Sequence, residues 1–411
     1  MKLLKISTVA ALLVSANVYA VENVKVGGDA KLFYGTQDAG WFSGADSGLF
    51  EKDASYADFG VSLGVTADLM ENVKAGVKAQ LITTLGLEND IVVGGWSSAH
   101  SSESGTLKTT EWISEAWIEG KIGNTTGTIG RMTLDTPLVF TETWSMDYNT
   151  FEAITITNED IPDTTLTGMF VGQSNGYGSG GTADANVMAS GGAFSKLGSD
   201  GAFIVGATNN SVKPLTAQAW YYNLPNTLDA FWLQADVDYE GIIAGAQYTT
   251  INSDGGTDSD TAFAVKLGYA IPDIATITAA YSSVGDKGDR GGVYNIATDG
   301  QYSGTASALY TEFWWWFQTA SVTGANTMTL SAEGSVADVD LFLGLYSAEI
   351  KPATSTTTDK VDEITFTASK SFGPIDTSIA LMYDMFDTDA VKGPNYMEDL
   401  TSFQVYLTYN Y

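Results

Sequence analysis

The chain of 411 residues has no cysteine, a single histidine (His100), and only 19 basic side chains against 49 acidic ones. Each shortage removes a class of chemistry. Without cysteine there is no disulfide framework, no thiolate nucleophile and no zinc site of the sulfur type. One histidine leaves little from which to build a general base or a metal cluster. A formal net charge of -30 repels phosphate, so nucleic acid is not an expected partner. Beyond residue 20 there is also no run of ~18 apolar residues such as a spanning helix needs. The chain nevertheless folds, because aromatic residues make up 12% and apolar residues 44% of it, more than an acidic disordered chain carries.

What is present begins with a leader pattern. Lys2 and Lys5 precede a short apolar run, Val9 to Val14, and Val18-Tyr19-Ala20 is a small-residue cleavage pattern. Residues 1–20 are therefore expected to be a signal peptide, with 21–411 the exported domain. That domain alternates with period two. In Tyr56 to Leu69 the odd positions, among them Phe59, Val61, Leu63 and Val65, are apolar, while Asp58, Ser62, Thr66 and Asp68 occupy even ones. A strand sends successive side chains to opposite faces, so one face is apolar and the other wet. The pattern resumes at Val73 to Leu81 and recurs at Phe231 to Tyr239, Phe263 to Tyr269 and Phe403 to Tyr411.

A soluble sandwich and a membrane barrel both alternate in this way. Four features favour the barrel. Tyr and Phe gather near strand ends, as an interfacial girdle would require. Full charges sit mid-strand on the other face, at Glu111, Glu115, Glu119 and Lys121, where a packed core would not tolerate them. Strand lengths suit a tilted crossing of the hydrocarbon layer. The chain also stops on an aromatic, Tyr411, at the end of an amphipathic strand. Tight turns at 70–72, 124, 160–163, 209–213, 240, 271–273, 336 and 373–375 alternate with longer connections, the longest at about 283–326. This predicts an all-β antiparallel transmembrane barrel of about 18 strands (16 to 20), with short periplasmic turns and long outer loops. Trp314, Trp315 and Trp316 are placed in the longest loop, since a lone strand there would make the count odd.

Between residues 130 and 164 stand Gly130-Arg131, Leu134-Asp135-Thr136-Pro137-Leu138, Asn149-Thr150-Phe151-Glu152-Ala153 and Asp160-Ile161-Pro162-Asp163-Thr164. Together with Lys213-Pro214-Leu215-Thr216-Ala217-Gln218 and the closing Tyr406-Leu407-Thr408-Tyr409-Asn410-Tyr411, this order resembles the major outer-membrane porins of Campylobacter and its relatives. Met132 departs from that family, which usually has Gln after Gly-Arg. The resemblance implies a homotrimeric, 18-stranded diffusion porin of the bacterial outer membrane with a preference for cations.

The chemistry expected of such a barrel is passage, not catalysis. His100 lies in a polar stretch, Ser98-Ala99-His100-Ser101-Ser102, without the setting of a triad. No cofactor is expected, although the acidic run Asp254 to Asp260 has the oxygen ligands for a loop-bound divalent cation such as calcium. The third long loop, at about 134–149, is the expected constriction, with Asp135, Glu142 and Asp147 facing Arg131. Glu115, Glu119, Lys78 and Lys121 are expected to line the pore with them. Membrane lipid, small hydrophilic solutes and cations are the expected partners. Three functions remain open: a passive porin, a substrate-selective channel, and a barrel whose loops serve as an adhesin or surface structure.

Overall fold

The computed structural model describes residues 21–38, 47–96, 102–104, 109–143, 146–176, 192–298, 305–388 and 399–411. The expected signal peptide and His100 lie outside them. The wall is a closed antiparallel barrel of 18 strands. In chain order these are β1 Glu22–Gln37, β2 Ser55–Met70, β3 Val73–Thr83, β4 Thr110–Ile122, β5 Thr125–Met132 and β6 Phe151–Asn158. Next come β7 Thr164–Ser174, β8 Ala202–Asn209, β9 Leu215–Leu224, β10 Leu228–Tyr239, β11 Ile242–Ser253 and β12 Asp260–Ile271. The last six are β13 Ala275–Val284, β14 Ala325–Val336, β15 Val339–Ile350, β16 Asp359–Phe372, β17 Ile375–Thr388 and β18 Leu400–Asn410. Short strands at Gly94–Trp96, Ser102–Ser104 and Ser195–Lys196 belong to the loops. Every neighbour in sequence pairs with the next, and β1 closes on β18 from Asp29↔Asn410 to Gln37↔Ser402.

Turn chemistry explains how one end stays tight. Between β14 and β15, Ala337 (φ 54°) and Asp338 (φ 60°) are both left-handed, the backbone of a two-residue turn whose twist matches that of the strands it joins. The opposite end carries the long connections, including one at 133–150, here L3, and one at 285–324, here L7. Trp314 to Trp316 lie in L7, just before a short helical turn at Phe317–Ala320.

The register assigns the faces. Ile118, Ile129 and Ile154 are cross-strand partners on one face, and Ile129 is 55% exposed. Leu267 (64% exposed) and Met328 (65% exposed) belong to the same outward set. A belt of exposed Ile, Leu, Val and Phe around a closed sheet is stable only against lipid, which puts the barrel in the bacterial outer membrane. In one place the alternation shifts. A bulge in β4 leaves Ser114 opposite no residue of β3, so Lys78 pairs with Glu115 but Leu81 pairs with Glu111. Glu111, read from the sequence as wet-facing, therefore falls on the outward face with Ile113, while Glu115 and Glu119 face inward.

The C-terminus seals the barrel. Gly28 N–H donates to Tyr411 O at 2.9 Å, Tyr411 N–H returns a bond of 3.0 Å, and the Tyr411 hydroxyl donates to Ser62 O at 2.7 Å. A Cβ on Gly28 would collide with the Ser62 carbonyl and press on the Tyr411 hydroxyl. Because one obstacle is backbone, Gly28→Val is expected to keep the seam from closing. The compact band seen on unheated gels should be lost, while far-ultraviolet sheet content survives in part.

Candidate functional site

L3 leaves the wall after Met132 and turns back on itself. Its hairpin is held by the Asp135↔Phe140 bridge, by Thr141 N–H to Leu134 O at 2.7 Å, and by the Thr136 hydroxyl to Val139 O at 2.7 Å. The hairpin exposes no apolar tip to water: Leu138 and Val139 are fully buried, against Tyr222 of the β9 wall and Val293, Ile296 and Leu309 of L7. Leu138 N–H donates to the Tyr222 hydroxyl at 3.2 Å, and Ile296 N–H donates to Leu138 O at 2.7 Å.

Asn295 of L7 completes the clasp. Its amide donates to Phe140 O at 2.9 Å and to Glu142 Oε1 at 2.8 Å, and its oxygen accepts from Phe140 N–H at 3.4 Å. Thr298 Oγ1 and the Ala306 N–H also donate to Glu142 Oε1, at 2.9 and 3.3 Å. Three donors around one buried carboxylate make Glu142 the pin that joins two loops separated in sequence by the eight strands β6 to β13. Asn295→Ala would remove one donor from the buried Glu142 carboxylate and weaken that pin, at a cost of about 1–3 kcal/mol. The expected result is a lower temperature for loss of the compact gel form and faster protease cutting within L7.

L7 then crosses to the rest of the wall. The Tyr310 hydroxyl donates to Asp236 Oδ1 at 2.7 Å, Lys266 Nζ lies 2.8 Å from the same oxygen, and Gln247 binds both Tyr310 N–H and Ala308 O. Lys266 Nζ also sits 4.1 Å from the Tyr310 ring centroid. Burial and the adjacent Asp236 carboxylate push the Tyr310 hydroxyl up, so it remains a donor. At the base of L3, Tyr148 donates to Glu115 Oε1 at 2.7 Å, with Lys78 Nζ 5.2 Å from its ring centroid. Burial, then Glu115, keeps that hydroxyl protonated as well. Further along L7, Phe313, Trp314 and Trp316 pack on the β15 to β17 wall, whereas Trp315 packs with Phe33, Tyr56, Ile82 and Trp112.

The expected site residues thus separate into groups. Glu115, Glu119, Lys78 and Lys121 stand on the inward face; Glu119 pairs with Lys74, and Lys121 with Thr126 near the turn end. Asp135 is exposed on the L3 hairpin, while Glu142 and Asp147 are buried in the loop assembly. Arg131 pairs with Ala116 and shares the face of Ile129; it binds Glu152 Oε1 at 2.9 Å through Nε, and its guanidinium carbon lies 4.1 Å from the Phe194 ring centroid. The register therefore puts Arg131 on the face opposite Glu115, not across from L3. In the acidic run of 254–260, the Asp289 carboxylate accepts the N–H groups of Thr257 and Asp258, and Asp260 accepts from Arg290 N–H at 2.9 Å.

The inward charge is unevenly placed. On β1 to β4, acids and bases interleave, with Lys31 near Asp29 at 3.8 Å and Lys74 between Asp68 and Glu119. On β13 to β17, every charged side chain on the inward face of the described residues is acidic: Glu333, Asp340, Asp359, Glu363, Asp376 and Asp384. Glu333 and Asp340 line a concavity of about 620 Å³ at the turn end, with Thr276, Thr367 and Ser369. The sequence had no signal for Glu363, which reads as one of two adjacent acids at a strand start.

Comparison with protein-family models and with curated proteins returns no match. Solved structures do match. OccAB1 of Acinetobacter baumannii aligns with a TM-score of 0.72 at 15% identity, covering 97% of this chain and 98% of its own. The outer membrane protein OpdK of Pseudomonas aeruginosa aligns with a TM-score of 0.73 at 11% identity, covering 96% and 100%. One of the matching structures is OpdK with vanillate. At such identities the likeness is one of fold: an outer-membrane porin-type barrel. It points to the Occ and Opd channels, and the narrower Campylobacter-type assignment is not supported.

Proposed function

We propose that residues 21–411 form an outer-membrane channel for small hydrophilic solutes and ions, with a preference for cations and a constriction made jointly by L3 and L7. The observation that carries this reading is the acid-only inward face of β13 to β17, which stands beside the interleaved face of β1 to β4 with β18 between them. An uncompensated acidic surface along a water-filled passage concentrates cations, and low-dielectric walls strengthen the field. Asp135, Glu115, Glu119, Lys78 and Lys121 are proposed to line the passage. Glu142 and Asp147 act instead through loop structure, and Arg131 through the outer wall. Reconstitution in a planar bilayer should give step-like currents with a cation-directed reversal potential in a salt gradient; a silent bilayer would return the barrel to the adhesin or structural reading.

The L3–L7 clasp favours substrate selectivity within the same fold, since a passage fixed by a buried polar pin discriminates by shape. Vanillate, bound by OpdK in one of the matching structures, is an aromatic carboxylate. The acidic wall here argues for cationic or neutral solutes in its place, and solute block of the currents would reveal them. The proposal extends to a homotrimer and to a calcium ion bound in the acidic loop at 254–260. Light scattering corrected for detergent tests the first, and a calcium-dependent shift in thermal stability the second.

A further inference from the structure

At Trp314 to Trp316 the barrel wall grips the L7 backbone through a single carboxylate. Glu363 Oε1 accepts from Trp314 N–H and Trp315 N–H, each at 3.1 Å, and Oε2 accepts from Trp315 N–H at 3.1 Å and Trp316 N–H at 2.9 Å. The Thr365 hydroxyl adds a bond of 2.6 Å to Oε1. Three successive backbone donors converging on one side chain form an anion cradle, so Glu363 is placed to be ionised. Its cross-strand partner is Asp384. Both are 0% exposed; the Trp316 indole is turned toward Asp384, but neither carboxyl oxygen of Asp384 has a donor at full bonding geometry. Tyr346 of β15 and Leu400 of β18 flank the pair as cross-strand neighbours, Phe386 lies two residues on with its ring 5.1 Å from that of Trp316, and Glu312 of L7 is the further acid facing Glu363.

Two carboxylates side by side in a dry site require something between them. A metal ion would need several oxygens, and those of Glu363 are already taken by donors from L7 and Thr365. A proton needs only the two partners. We infer that Asp384 carries a proton and donates it to Glu363, and that this shared proton is the latch that keeps L7 seated in the channel. Rising pH removes the proton, leaves two buried anions in contact, and releases the Trp314 to Trp316 segment toward the passage. Burial likewise holds the Glu312 carboxyl well above its usual range, so alkali charges that neighbour too and acts in the same direction.

This inference rests on the channel reading, and two readouts keep the two apart. Single-channel currents and acrylamide quenching of tryptophan are recorded from about pH 6 to about pH 10 on wild type, Asp384→Asn and Glu312→Gln, in bilayers and in detergent respectively. Wild type is expected to show a rise in gating events and in quenching across that range. Asp384→Asn, whose amide donates to Glu363 at every pH, should show neither. A transition that persists unchanged in Asp384→Asn, or one abolished only by Glu312→Gln, overturns the latch. A response to chelator at fixed pH without a response to pH would assign the place to a metal ion and overturn it as well. If the bilayers stay silent, the channel reading fails while quenching still decides the latch. Should Asp384→Asn fail to assemble, a flat quenching profile in wild type alone is sufficient to reject it.

Discussion

A protein whose L7 is removed at its neck is expected to conduct several-fold more current than the intact chain. The neck is defined by the Gly292↔Val322 bridge, with Val293 N–H to Ser321 O at 2.9 Å and Thr323 N–H to Gly291 O at 3.0 Å. Joining Gly292 to Val322 through a short Gly-Ser turn therefore replaces the loop by a hairpin end without disturbing the Ser283↔Asn326 pairing of β13 and β14. The change deletes Asn295, Tyr310 and the three tryptophans together, so L3 also loses its pin at Glu142. Both occupants of the passage then move, which is why the effect exceeds that of any point substitution. Conductance steps of unchanged size, in a variant that still shows the compact gel form, would mean that L7 lies outside the conducting path.

The second large effect concerns ion selectivity. Glu333, Asp340 and Asp376 are exposed on the inward face, whereas Glu142, Glu363 and Asp384 are buried. Mobile ions feel the exposed set, because buried carboxylates are compensated by donors or by protons. The variant Glu333→Gln, Asp340→Asn, Asp376→Asn should bring the reversal potential close to zero. The difference from wild type should widen as salt falls from 0.1 M to 0.01 M, where the screening length grows from about 10 Å to about 30 Å. Replacing Glu142 by Gln alone should leave selectivity nearly unchanged and disturb gating noise instead. A wild type that prefers anions would contradict the electrostatic argument at its root.

Much of this molecule was legible residue by residue. Alternation located the strands because each wall residue interacts with partners whose face the period-two rule already dictates, and turn residues such as Asn72, Asp163 and Asp273 mark the tight end through left-handed backbone. The rule fails where a single extra residue enters: Ser114 breaks the count, and Glu111 changes sides. The loops were legible only as lengths. Glu142 and Asp135 look alike as acids of one loop, yet one is buried by Asn295, Thr298 and Ala306, residues more than 150 positions away, and no local pattern announces that contact. Glu363 was hidden for the same reason, since its donors are backbone N–H groups of L7, which leave no trace in side-chain identity.

The position of Trp315 has a consequence for how the molecule is made. It rests on Phe33 of β1 and Tyr56 of β2 in a cluster that also touches Tyr406 of β18, while the adjacent Trp316 meets Phe386 of β17. The Trp315 segment of L7 thus lies inside the barrel directly behind the junction of the first and last strands. Strands synthesised at opposite ends of the chain grip a segment synthesised between them, so neither side can be complete until the other arrives. Closing the wall and burying Trp315 are thereby coupled, because the same cluster of Phe33, Tyr56 and Tyr406 serves both.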